Sequence, residues 1–264
     1  QVEVHVLLDE LFQRGSDLRS DAQYIGERHY KAATDAKRGV LFTKLIREIT
    51  MAAKLSGGDP DHNPRLRTAI DSAKANSMPK ENIERAIKKG TGELEGVHYT
   101  EVTYEGYGPG GVAILISALS DNPTRTVAEI RHKLTRLGGN LGPPNSVSYL
   151  FDRKGQIYID GSKYEEDSVL EKALDGGAED FKAEGDQYIV TTDPHGIHLV
   201  EDAIKKAGIE IVESEVAFIP KSTVRVEGKN AESLVKLLEE LEDLDDVQKV
   251  SANFDMDVEQ MSGA

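Results

Sequence analysis

The first third of the chain carries the hydrophobic pattern of short α-helices, with apolar residues recurring every three or four positions. The four predicted helices cover residues 22–38, 41–55, 63–76 and 78–90. Gly39 is expected to end the first helix in a left-handed conformation. Asn63 and Met78 each precede a proline, which favours a helix start at both places. These segments predict a small helical bundle.

Beyond His98 the pattern changes to the short alternating and apolar runs that are typical of β-strands. Strands are predicted at 102–104, 112–119 and 146–151, with a helix at 122–137. Residues 153–220 follow the order strand, helix, strand, strand, helix, strand, which is the ferredoxin-like pattern. A final strand, helix and strand at 223–226, 231–241 and 247–254 give the same pattern again when joined to residues 112–151.

The fold class predicted from these elements is α+β, with an N-terminal small helical bundle followed by two ferredoxin-like α+β domains, one inserted in the other. The predicted limits are 22–96 for the bundle, 97–152 plus 221–258 for the second domain, 153–220 for the inserted domain and 259–264 for a tail. Residues 1–21 are expected to be foreign to this arrangement, because residues 15–20 have the composition of an expression-derived linker.

Charge is distributed unevenly along the chain of 264 residues, whose formal net charge is −15. Residues 28–96 carry 14 Lys and Arg against nine Asp and Glu, whereas residues 97–264 carry 16 against 32. An acidic protein on average repels nucleic acid. A basic segment on such a chain instead indicates a local site for a polyanion.

The basic segment is therefore predicted to bind nucleic acid. Its apolar positions account for the inner face of each helix, so that the cations are expected to point outward, where phosphates can be met. Any one of them could simply complement a helix dipole, but the whole set favours a functional surface. Because aromatic residues are sparse here, backbone and shape recognition is expected rather than base stacking. The candidate contacts are Arg28, Lys31, Lys37, Arg38, Lys44, Arg47, Arg65, Arg67, Lys74, Lys80, Arg85, Lys88 and Lys89.

Motifs for catalysis or cofactor binding give weak signals. Gly106, Gly108 and Gly111 match the spacing of a dinucleotide-binding loop, but a strand is predicted after them instead of a helix, which favours a hairpin. His195 and His198 have a spacing that could hold a metal ion, yet further ligands are not evident. The chain has no cysteine, and its longest apolar runs are too short to cross a bilayer. We expect no enzyme activity, cofactor, metal, small-molecule substrate or membrane partner.

Several strings of residues resemble the YebC family, in the right order and over about residues 22–257. They are KAATDAKRG at 31–39, FTKLIREI at 42–49, GGDP at 57–60, NPRLR at 63–67, MPKENIERAI at 78–87, YEGYGPGG at 104–111, GGNLG at 138–142 and SVSYLFD at 146–152. The family usually opens with Gly-His-Ser-Lys-Trp, where this chain has SDAQY at 20–24. The resemblance implies three domains, with the third inserted in the second.

The resemblance also implies a role in gene expression. The family is described as probable DNA-binding transcriptional regulators, and its mitochondrial members as translational activators of cytochrome oxidase synthesis. Binding to ribosomal RNA in support of translation through stalls is the first hypothesis. The second is a transcriptional regulator on duplex DNA, although no recognition helix with base-reading side chains is evident. An enzyme is the third. The expected location is the bacterial cytoplasm, or the mitochondrial matrix in a eukaryote.

Overall fold

The structure is a computed structural model that describes the backbone of residues 23–256 and the side chains of residues 38–256. Three helices form its N-terminal part: α1 (Gln23–Ser56), α2 (Pro64–Ala75) and α3 (Lys80–Thr91). They enclose one apolar core, in which Ile49 and Leu66 are fully buried. The predicted bundle is thus present, with three helices in place of four.

The predicted break at Gly39 is wrong, because α1 is a single helix of 34 residues that continues through it. A glycine inside a helix costs only about 1 kcal/mol relative to alanine. The turns that follow pack Phe42, Leu45 and Ile49 against the other helices. Tertiary packing therefore offsets the local penalty, and the helix does not end.

The connections between these helices follow the predicted capping signals. The side chain of Asn63 accepts a hydrogen bond from the backbone N–H of Leu66 at 3.1 Å, as expected for a helix cap. Its amide group also donates to the carbonyls of Ala52 and Gly57, both at 2.8 Å. The predicted end of α3 at Gly90 is wrong by two residues, since the left-handed cap is Gly92. Gly90 lies within the helix, where it serves close packing.

The first sheet belongs to the second part of the chain and has the order β3-β1-β2-β9. Its strands are β1 (Thr100–Tyr107), β2 (Ala113–Ser120), β3 (Asn140–Leu141) and β9 (Val247–Ala252). Two helices cover one face of this sheet, α4 (Pro123–Arg136) and, later in the chain, α7 (Gly228–Glu242). A separate parallel pair consists of β8 (Val224–Arg225) and β10 (Phe254–Asp255). The second domain was predicted to repeat the ferredoxin-like order. Because β8 pairs with β10 instead of joining the first sheet, that order is not repeated here.

The glycine-rich sequence at residues 106–111 is the predicted hairpin between β1 and β2, which pair antiparallel. The backbone N–H of Gly108 donates to the carbonyl of Val112 at 2.8 Å. Gly110 and Gly111 have φ values of 75° and 78°, a region that favours glycine. A strand follows the loop, so no helix N-terminus meets a phosphate here.

The strand predicted at residues 146–151 is also wrong, because this segment is a loop with a short 3-10 turn. The carboxylate of Glu105 accepts hydrogen bonds from the backbone N–H groups of Asn145, Val147 and Ser148. Burial would raise the pKa of Glu105, but these donors lower it below its ordinary value. A carboxylate thus satisfies the backbone donors that a neighbouring strand would otherwise satisfy.

The inserted part forms a second sheet of order β5-β6-β4-β7 in which all pairs are antiparallel. Its elements in chain order are β4 (Phe151–Asp160), α5 (Glu166–Asp175), β5 (Asp180–Glu184), β6 (Gln187–Thr192), α6 (Ile197–Lys206) and β7 (Glu213–Pro220). The first and third of these strands lie in the middle of the sheet, and both helices pack on one face. This is the predicted ferredoxin-like order, and the α+β class is confirmed.

No helix in the described part of the chain has the length and the apolar character needed to cross a bilayer. The domain limits given above stay a prediction.

Candidate nucleic-acid interface

Two of the predicted phosphate contacts instead attach α1 to the second part of the chain: Arg47 contacts the first sheet, and Lys44 contacts the end of α7. Arg47 is only 9% exposed. Its guanidinium donates to the carbonyl of Leu119 at 3.1 Å and to the carboxylate of Asp246. Lys44 donates to the backbone carbonyl of Glu242 at 2.5 Å. Burial lowers the pKa of Lys44, although neighbouring carboxylates oppose this effect. Because both side chains are engaged within the protein, neither is accessible to a phosphate.

Asp246 lies at the centre of this junction and is 3% exposed. Besides Arg47, its carboxylate accepts hydrogen bonds from Arg125 at 2.8 Å, Thr126 at 2.5 Å and Ser120 at 3.1 Å. Burial alone would raise the pKa of Asp246, but the bonds from Thr126, Arg125 and Arg47 outweigh it and lower the pKa to about 2. The carboxylate is therefore ionised at neutral pH and holds two cations in place.

This lowered pKa predicts a loss of stability in acid. Above its ordinary pKa of 3.8 Asp246 contributes its full stabilisation, which is lost as the pH falls towards its folded pKa of about 2. The shift corresponds to about 2 kcal/mol. We expect the difference in unfolding free energy between the wild type and Asp246→Asn to narrow across that window in urea titrations. A difference that stays constant down to the lower end would contradict this role of Asp246.

Arg65 and Arg67 are also engaged by neighbouring groups. Arg65 donates twice to the carboxylate of Glu48, at 2.6 and 3.0 Å, and once to Glu101 at 3.1 Å. The hydrogen bonds that Arg65 donates to Glu48 raise the pKa of Arg65. Arg67 is exposed, and its guanidinium donates to the carbonyls of Pro60 and Asp61. Arg65 thus fixes α2 against α1, whereas Arg67 keeps an exposed charge without a carboxylate.

Lys74, Lys80 and Arg38 lie on the surface of the helices. Lys74 and Lys80 face Asp71 and Glu84 at 3.5 Å, in exposed pairs that contribute little. Arg38 is exposed with its guanidinium 5.2 Å from the ring centre of Phe42. The side chains of Arg28, Lys31 and Lys37 lie outside the described residues.

Arg85, Lys88 and Lys89 lie close together on α3. All three are exposed, and none of them forms an ion pair with another residue of the described part of the chain. Their spacing of three and four residues places them on one face of α3, opposite the buried Ile83 and Ala86. Within the described structure, the exposed carboxylates of the preceding helical turn form no ion pair with these three side chains.

A cleft next to this face lies between α1 and α3, at their C-terminal ends. Its volume is about 430 Å³. The lining residues are Thr50, Met51, Lys54, Lys89, Gly90, Gly92, Leu94, Glu95, Gly96, Val97, His98 and Tyr99. Gly90 makes the close approach of the helices possible, since a Cβ atom there would lie 2.4 Å from the carbonyl oxygen of Thr50. The exposed side chains of Lys54 and Lys89 both line this cleft.

Sequence reasoning did not select Lys54, His98 or Tyr99, which the fold brings to this cleft. Lys54 follows the apolar stripe of α1, while His98 and Tyr99 belong to the connection after α3. The repeated glycines Gly90, Gly92 and Gly96 were the available signal. These glycines indicate a close contact only once the segment that packs against them is known, and a single sequence does not give that segment.

No group of three or more His, Asp or Glu side chains within the described residues has the arrangement of a metal site. His195 lies at the turn before α6, where its backbone N–H donates to Asp193 at 2.8 Å. His198 lies in the first turn of α6. Neither histidine is near the cleft between α1 and α3.

Fold and surface together define a class: an α+β protein whose cationic helical bundle is fixed by a buried ion pair to an acidic body. Residues 26–93 match the family description "TACO1/YebC protein N-terminal domain", and residues 99–254 match "TACO1/YebC second and third domain". The chain belongs to the TACO1/YebC family, as the sequence motifs predicted.

Similar proteins come from bacteria. The chain is 60% identical over 234 residues to a "Probable transcriptional regulatory protein" of Gemmatimonas aurantiaca, covering 89% of this chain and 95% of that protein. A protein of the same description from Geobacter sulfurreducens is 54% identical, with coverages of 89% and 94%. The crystal structure of a conserved hypothetical protein from Aquifex aeolicus superposes with a TM-score of 0.79 at 50% identity, covering 84% of this chain and 92% of that one.

Proposed function

We propose that this chain is a nucleic-acid-binding regulator of gene expression that catalyses no reaction and binds ribosomal RNA through its helical bundle to support translation through stalls. One observation carries the proposal. Lys54, Arg85, Lys88 and Lys89 are exposed at one end of the bundle, and none forms an ion pair within the described structure. Such a surface gains affinity for phosphates by releasing their counterions.

The charge of the remaining chain supports contact through this end alone. Residues 97–264 carry twice as many acidic as basic side chains, which repels phosphate. A protein with this distribution is suited to a partner that receives the bundle and leaves the acidic part in solvent or against protein. A ribosomal site lined by RNA meets this requirement. The matching location would be the bacterial cytoplasm, or the mitochondrial matrix in a eukaryote.

The test is co-sedimentation with ribosomes for the wild type and the triple variant Lys54→Glu, Lys88→Glu and Lys89→Glu. We expect the variant to remain in the supernatant. On isolated ribosomal RNA, the slope of log affinity against log salt is expected to fall by about two to three, as for the loss of that many phosphate contacts. Lys44 and Arg47 are left intact, since their loss would disturb the fold.

A matched control reverses three exposed lysines outside the bundle, Lys182, Lys206 and Lys229. Its change in net charge is the same, so a general electrostatic effect would weaken both variants alike. Equal sedimentation of the triple variant and the wild type would refute the proposal.

The alternative is a transcriptional regulator on duplex DNA, which the printed descriptions of the bacterial relatives favour. The exposed cations of α3 could equally lie against the backbone of a duplex. Gel-shift titrations over a range of salt concentrations distinguish the two. Binding of a specific duplex that survives physiological salt, without binding to ribosomal RNA, would favour DNA.

A further inference from the structure

We infer that the cleft between the ends of α1 and α3 holds one unpaired nucleotide of the bound RNA strand, with its phosphate near Lys54 and Lys89 and its base on the apolar rim. The inference rests on the proposed function and assigns a specific role to this cleft. It follows from the charge, the apolar lining and the dimensions of the cleft.

The charge of the cleft suits a phosphate group. Lys54 comes from the last turn of α1 and Lys89 from the last turn of α3, and both are exposed where they line the cleft. Glu95 is the one carboxylate in the lining, and His98 adds a further hydrogen-bonding group. Two ammonium groups against one carboxylate leave a net positive charge, which attracts a phosphate.

The rim of the cleft is apolar where soluble proteins are usually polar. Leu94 is 43% exposed and Val97 is 52% exposed, and both line the cleft. The connection that carries them is held in place, because the backbone N–H of Leu94 donates to the carbonyl of Lys88 at 3.1 Å. This rim places apolar surface for a base beside cations that attract a phosphate.

Tyr99 gives the cleft an aromatic wall of fixed position. The guanidinium of Arg47 lies 5.4 Å from the centre of its ring, and Arg47 is itself bound to Asp246. The ring therefore needs little ordering when a base arrives, which favours binding. The expectation of backbone and shape recognition rather than base stacking rested on the helical segment alone, and Tyr99 lies beyond it.

The volume of the cleft suits a ligand of about the size of one nucleotide. A volume of about 430 Å³ lies at the lower end of the range of ligand sites, which is roughly 300–1,000 Å³. A paired base is stacked on both sides in a duplex and cannot enter such a cleft. The site should therefore distinguish unpaired from paired strands, whereas the exposed face of α3 should not.

The test compares the full-length double variant Leu94→Ser/Val97→Ser with the wild type. The probes are a short labelled oligouridine strand, the same strand in a duplex, and a DNA strand of equal length, measured by fluorescence anisotropy. We expect the double variant to lose about tenfold in affinity for the single RNA strand and less than about twofold for the duplex, as for the loss of one base contact. Net charge is unchanged, so the salt dependence should stay the same.

The matched control is Leu174→Ser with Leu199→Ser, two exposed leucines of the inserted part that lie outside the cleft. It should bind every probe as the wild type does. Equal affinity of wild type and cleft variant for the single strand overturns the inference. Suppose that the cleft variant binds like the wild type, but the triple variant Lys54→Glu, Lys88→Glu and Lys89→Glu no longer binds ribosomes. The proposed function then stands, and only the inference about the cleft is refuted. If the wild type binds none of the probes and no ribosomes, both are refuted.

Discussion

Asp246→Asn is expected to lower the free energy of unfolding by about 3–5 kcal/mol, because it leaves the cation of Arg47 buried without its counter-charge. Asparagine has nearly the same volume, so the packing is preserved and the effect is electrostatic. Arg125 would lose the same partner. Urea unfolding followed by circular dichroism would report the change as a lower midpoint.

The neighbouring Asp245 provides the control, since its side chain is exposed and acts on the junction only through its charge near Lys44. Asp245→Asn should change the unfolding free energy by less than about 0.5 kcal/mol. Similar values for the two variants would show that the junction does not depend on the buried pair. Hydrogen exchange should locate the added opening of Asp246→Asn at the contact of α1 with the first sheet, where Arg47 donates to Leu119.

Gly90→Ala is expected to destabilise the bundle by about 1–3 kcal/mol, although alanine is the better helix former. Its new Cβ atom would lie 2.4 Å from the carbonyl oxygen of Thr50 and 2.7 Å from the Cβ of Ala53. Neither neighbour can rotate away, because one is backbone and the other is attached directly to it. The ends of α1 and α3 must separate, which we expect to widen the cleft and weaken single-strand binding as well.

Gly39 is the matched control, a glycine inside a helix whose substitution meets nothing within 4 Å. Gly39→Ala should stabilise the protein by about 0.5–1 kcal/mol through helix propensity alone. Thermal unfolding of both variants would show opposite shifts in the midpoint temperature. A stabilised Gly90→Ala would mean that the two helices are not in close contact there.

The junction at Arg47 links stability to the candidate site. The same guanidinium binds Asp246 and lies over Tyr99, which lines the cleft. A family string that looks like part of a basic surface, FTKLIREI at 42–49, thus supplies the attachment of the bundle through Lys44 and Arg47. The accessible cations come from Lys54 and from α3.

Sequence patterns predicted most of the elements of the inserted part closely, since each has its own local signal. The order predicted for residues 153–220 is the order of β4, α5, β5, β6, α6 and β7. In the second part, β8 was placed in the wrong sheet. Its two residues have no periodicity that could state which strand they pair with.

The sequence by itself determined the α+β class, the family, the order of helices and strands in the inserted part and the location of positive charge in residues 28–96. These follow from periodicity, capping residues, composition and motifs, all of which act over a few neighbouring positions. Only the tertiary structure decided which cations are accessible. Burial and pairing depend on residues far apart in the chain, such as Arg47 and Asp246, so that a lysine or arginine on the polar side of a helix can serve either as an attachment or as a binding group.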